Sequence, residues 1–99
     1  MSEMIVQGVF VVDPEDRDRF IEASIEGMRA SRAEEGCVEY VFAADPLEPG
    51  RVVLSERWAS MELLRQHLDR LASRPAGNRP KPKSAEIVMY EVASATKLM

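Results

Sequence analysis

Ninety-nine residues, 45% of them hydrophobic and 30% charged, fit one soluble globular domain spanning 1–99. A net charge of −4 argues against bulk nucleic-acid binding, which needs a basic face. No apolar run approaches the roughly 20 residues of a membrane helix, and the start Met-Ser-Glu-Met lacks the basic and apolar regions of a signal peptide, so a cytoplasmic location is expected. The single cysteine, Cys37, rules out an internal disulfide or a cysteine-based metal site and is expected as a small buried apolar residue.

Met4 to Val12 reads as a strand, with Val6, Phe10 and Val12 beside Gly8 on one face and Ile5, Val9 and Val11 beside Gln7 on the other. Two mainly apolar faces need two covers. Asp13-Pro14-Glu15-Asp16 starts a helix: Asp13 caps, Pro14 suits the first position, and the acids favour the positive dipole end. Phe20, Ile21, Ser24, Ile25 and Met28 carry the helical period, the helix is expected to run to about Glu35, and Gly36 is its stop. Cys37 to Ala44 is a second strand, with Val38, Tyr40 and Phe42 expected on one face and Cys37, Glu39 and Val41 on the other. The breaker-rich turn 45–50 returns the chain into a third strand, Arg51 to Trp58. Ser60 caps a helix over 60–71 whose apolar stripe is Leu64, His67, Leu68 and Leu71, with Leu63 at its edge. Residues 74–83 hold four cations, no acid and three prolines, and read as a loop that is either a solvated connection or a rim attracting an acidic or phenolate ligand. Glu86 to Ala95 is the fourth strand.

The order β-α-β-β-α-β defines an α+β, ferredoxin-like split βαβ fold: a four-stranded antiparallel sheet with two helices on one face. The opposite face holds too many apolar groups to stay wet, and a homodimer through the sheet faces is the expected cover.

Trp58 and His67 are the sole tryptophan and histidine of the chain. Alternation on the third strand puts Leu54, Glu56 and Trp58 on one side, with Arg57 on the other, toward the dimer face or solvent. His67, within its leucine stripe, points inward. If the second helix covers the Leu54 side, indole and imidazole face one cavity. An imidazole titrates near neutrality and accepts a proton from a phenol or enol; an indole offers one N–H and an aromatic wall. Glu56 would orient His67, and Tyr40 would line the cavity through its hydroxyl. Core packing of the same residues is the alternative. One histidine and no cysteine cluster supply too few ligands for a metal, and nucleotide and flavin fingerprints are missing, so no cofactor is expected.

Glu35-Gly36-Cys37-Val38-Glu39-Tyr40, then Asp45-Pro46, Glu56-Arg57-Trp58 and His67 resemble the antibiotic biosynthesis monooxygenase domain over roughly residues 4–95. That family reads E-P-G-C-x-x-Y, D-P, E-R-W or E-x-W, and A-H-L; here Glu35 replaces the usual proline and Gln66 precedes His67. The resemblance implies a dimeric α/β barrel with a ligand cavity in each subunit, between the sheet and its own helices. The family spans cofactor-free oxygenases of aromatic polyketides and quinols, haem-degrading enzymes, and isomerases of signal molecules. Haem-degrading relatives carry Asn, Trp and His at places that align with Val9, His67 and Ala76, so haem breakdown is not expected. The expectation is a cofactor-independent monooxygenase acting with O2 on a small electron-rich aromatic or quinol-type substrate. His67 would be the base, Trp58 the wall and donor, and Glu56, Tyr40 and Leu54 the substrate contacts. The alternative is a metabolite-binding relative on the same scaffold, non-catalytic or an isomerase of a small hydroxy-ketone phosphate.

Overall fold

The computed structural model of the chain describes residues 2–75 and 77–99; Ala76, aligned above with a haem-degrading histidine, lies outside the described residues. Strand β1 runs Met4–Val11 and strand β2 Cys37–Ala44, strand β3 is Arg51–Trp58 and strand β4 Ser84–Glu91. All three pairings are antiparallel, in the order β2-β3-β1-β4. This is the split βαβ sheet expected from the sequence. The alternation holds in β1: Met4, Val6, Gly8 and Phe10 are buried, and the residues between them are less so.

The first helix departs from expectation in two places. It is a short 3-10 turn, Pro14–Asp16, followed by helix α1, Arg17–Ala23, and helix α2, Ile25–Arg32, with the break at Ser24. The Ser24 hydroxyl donates to the Phe20 carbonyl at 2.8 Å, competing with the backbone for the i−4 acceptor, and the Ser24 N–H bonds Ile21 O instead. The helix also ends at Arg32 rather than near Glu35, because its last turn tightens: Ala33 N–H reaches both Arg29 and Ala30 carbonyls, and Glu34 N–H bonds Ser31 O. Gly36 then turns the chain at φ +83°. A Cβ there would stand 2.8 Å from Leu63 Cβ. Gly36→Ala is therefore expected to cost about 1–3 kcal/mol in urea unfolding, whereas Gly77→Ala, with nothing within 4 Å, is the near-neutral control. Equal midpoints for the two variants would contradict this.

A bulge overturns the face assignment at the start of β2. Cys37 and Glu39 face Trp58 and Arg57, so Val38 is the extra residue. Cys37 turns to the core side and packs half-buried against it, while Val38 is exposed. From Tyr40 onward the alternation is as expected, with Tyr40 and Phe42 buried.

Helix α3, Met61–Ser73, is capped by Ser60, whose Oγ accepts from Leu63 N–H. Helices α1 and α2 pack on β2, and α3 on β3. β4 lies beyond that cover and is exposed along its whole length, including Ile87, Met89 and Tyr90. It begins at Ser84 and ends at Glu91, earlier at both ends than its apolar pattern suggests, because its register is set by pairing with β1 from Val11 to Met4. On the face away from the helices, Ile5, Val9, Val41 and Val53 are half-buried and Val11, Val88 and Tyr90 exposed. Arg57 lies on that face, paired with Glu3 at 3.1 Å. Among the described residues no helix is long and apolar enough to cross a membrane.

Candidate active site

Because α3 covers β3 while β4 stays bare, a hollow of about 420 Å³ opens between α3 and the β1–β4 half of the sheet. Val6, Leu54, Leu64, Ile87 and Met89 give it apolar walls, and Tyr40, Glu56 and Arg79 are its polar groups. The register explains this. Met89 pairs with Val6 and Ile87 with Gly8, so both point to the helix side, and Gly8 leaves the floor low beside Leu54.

Of the residues singled out in the sequence, Tyr40, Leu54 and Glu56 line this hollow. Trp58 and His67 do not. Both are fully buried, and their rings stack on each other, centroids 4.5 Å apart at 33°. The shared hollow expected between indole and imidazole is thus filled by the two rings themselves. Alternation and helical period predict the side of a residue but not its depth, and His67 is drawn deep by a partner the sequence reading missed. That partner is Glu34, freed from the helix by its early end. His67 Nδ1 stands 3.0 Å from Glu34 Oε2, and Arg70 donates to Glu34 Oε1 at 2.6 Å.

Trp58 Nε1–H donates to Glu56 Oε1 at 2.8 Å, and His67 Nε2 lies 4.0 Å from the same oxygen. Tyr40 meets His67 edge-on at 5.4 Å. The cluster therefore runs from the surface at Arg70 through Glu34, His67 and Glu56 to the cavity wall. Its electrostatics are uneven. Burial pushes the Glu34 carboxyl up, but hydrogen bonds from His67 and Arg70 outweigh that and hold it below its ordinary value. Burial raises the Glu56 carboxyl, with Glu34 adding to the rise and the Trp58 and His67 interactions opposing it. Burial and the neighbouring Glu56 push the Tyr40 phenol up to about 12, so it is a hydrogen-bond donor at neutral pH. Glu34 holds the imidazole through Nδ1. Among the described residues Nε2 is a buried nitrogen with no hydrogen-bond partner. The nearest charged group to it is the Glu56 carboxylate that lines the cavity, 4.0 Å away.

Arg79 is the other residue missed. It sits among the prolines of the 74–83 loop, where only its charge was visible in the sequence. Its guanidinium lies 4.5 Å over the Phe20 ring and 5.6 Å from those of Phe10 and Phe42.

A family model described as antibiotic biosynthesis monooxygenase matches residues 4–76, ending before β4. The chain belongs to the antibiotic biosynthesis monooxygenase family. It is similar to the uncharacterized protein sll1783 of Synechocystis, 28% identical over 96% of this chain and 67% of that one. Among solved structures it resembles a candidate antibiotic biosynthesis monooxygenase from Deinococcus radiodurans, with a TM-score of 0.77 and 21% identity over 97% of this chain and 98% of that one. Another such candidate, from Chloroflexus aurantiacus, has a TM-score of 0.71 and 25% identity over 99% and 100% of the two chains. These likenesses carry the fold.

Proposed function

We propose that the protein is a cofactor-independent oxygenase that takes a small electron-rich aromatic or quinol-type molecule into the hollow beside Glu56. The observation that carries this reading is a buried carboxylate on the wall of a mainly apolar cavity, where burial raises its pKa. Such a group is a stronger base than a solvated carboxylate. In this reading Glu56 takes the acidic proton of the substrate, and His67, with Nε2 4.0 Å from the carboxylate, backs it. Tyr40 donates to the substrate oxygen, and Trp58 holds Glu56 in place. The substrate anion gives one electron to O2, and the resulting radicals combine. For an anthrone, one oxygen atom enters as the new carbonyl and the other leaves as water, with two substrate hydrogens lost. His67 thus becomes a positioning residue behind the base, and Trp58 a support for it, rather than direct contacts of the substrate.

A second copy of the chain covering the back face of the sheet belongs to this reading, supported by the exposed Val11, Val88 and Tyr90. A metabolite-binding role without turnover is supported by a different observation: the hydrogen bonds Trp58–Glu56 and His67–Glu34 also serve to hold the core together. Oxygen consumption with a panel of quinols and anthrones separates the two. The oxygenase reading expects uptake with at least one compound. No uptake, together with a raised melting temperature for one of them, favours binding alone.

A further inference from the structure

The hollow beside Glu56 has a neighbour. A second cavity of about 430 Å³ lies under the 77–82 segment, and Tyr40, Phe42, Leu71 and Arg79 border both. The two differ in chemistry. The inner one is walled mainly by aliphatic and aromatic side chains with Glu56 among them, whereas the outer one adds Arg74 and Lys81 to Arg79 and has no carboxylate in its lining. Arg79 stands at the partition. Its guanidinium rests on the triad of Phe10, Phe20 and Phe42, whose ring centroids are 5.3 to 6.1 Å apart. Its polar contact is a long one, 3.5 Å to Ser24 Oγ, and among the described residues it has no carboxylate within 4.0 Å. Arg74, by contrast, is partly answered by Glu34 at 3.7 Å. Burial costs the Arg79 charge hydration and lowers its pKa. A cation held on rings and facing an acid-free chamber is poised to take an anion from a ligand.

We infer that the ligand of this site is an aromatic acid, its ring in the inner hollow beside Glu56 and its carboxylate or equivalent anionic group in the outer one on Arg79 and Lys81. The inference rests on the proposed ligand cavity but not on turnover. It also gives the site a polarity. Glu56 repels an anionic group at the inner end and Arg79 attracts it at the outer end, so the acid enters ring first.

Isothermal titration of the whole protein with 2-naphthoate and the isosteric neutral 2-naphthamide tests it. The acid is expected to bind about tenfold more tightly than the amide. Arg79→Gln should bring the two to near-equal affinity while the amide still binds, and Lys81→Gln should reduce the preference by about half as many decades. Circular dichroism confirms that the variants fold. Equal affinity for the two probes in the wild type, binding of neither, or a preference that survives both substitutions overturns the inference. Oxygen uptake is read separately. A preference for the acid without oxygen uptake leaves the anion site standing and removes the oxygenase. Uptake with a neutral quinol and no preference for the acid does the reverse.

Discussion

Trp58→Ala is expected to lower the free energy of unfolding by about 3–5 kcal/mol, the range for deleting a fully buried aromatic. Trp58 is fully buried and is the largest of the residues with no exposure. Its loss has a second cost. The indole N–H is the hydrogen-bond donor to Glu56 Oε1, and without it a buried carboxylate loses a partner, worth about 1–3 kcal/mol. Domains of this size hold about 5–15 kcal/mol in all, so the variant sits at the edge of folding. Trp58→Phe separates the two effects in part, because it keeps a six-membered aromatic ring while removing the fused pyrrole ring with its N–H. Its expected loss is about 1–3 kcal/mol. Urea unfolding followed by circular dichroism, at fixed protein concentration, gives both values. A loss under about 1 kcal/mol for the alanine variant would show that the core does not depend on the indole.

Glu56→Gln is expected to reduce oxygen uptake by at least about a hundredfold, the usual scale of a positioned base. The amide keeps the shape and still accepts from Trp58, so folding is retained. The pH dependence gives a sharper signature. Glu56 acts as a base only when ionised, and its pKa is raised by burial. Activity should therefore rise with pH through that raised value, above the ordinary 4.5, and then level off. Its stability contribution has the opposite sign. A raised carboxyl favours the fold most below the unfolded pKa, and that contribution is lost as pH rises through the folded value. Glu34 runs the other way, because its folded pKa is lowered: its contribution is present above 4.5 and disappears as pH falls through its folded value. His67→Gln, which removes the ring behind the base but not the base, should slow turnover less than Glu56→Gln. Uptake unchanged in Glu56→Gln would remove this carboxylate from the mechanism.

The architecture was legible in the sequence because period-2 and period-3.6 patterns are strong where one face is buried. β2, β3 and the Ser60 cap fall where the pattern puts them. The misses have local causes. Apolar spacing continues through Ser24, so the hydroxyl that interrupts the helix leaves no trace in the pattern. Alternation cannot announce a bulge, and so Cys37 and Val38 exchanged faces. The site was half legible. Tyr40, Leu54 and Glu56 follow from strand parity, and they reach the cavity. Trp58 and His67 are on the right side but lie behind it, because depth depends on partners from distant segments. Glu34 lies 33 positions from His67 in sequence, on a turn that reads as the end of a helix. Arg79 becomes informative only when three phenylalanines from different elements meet beneath it.

The central claim is that the hollow beside Glu56 is where the ligand sits. A crystal structure of the protein soaked with a quinol or anthrone, kept free of oxygen, tests it most directly. An aromatic ring is expected against Leu54, Ile87 and Met89 with a ring oxygen at hydrogen-bond distance from Glu56. A ring bound elsewhere on the protein, or a hollow closed by the side chains of Leu64 and Met89 with the ligand excluded, would contradict it.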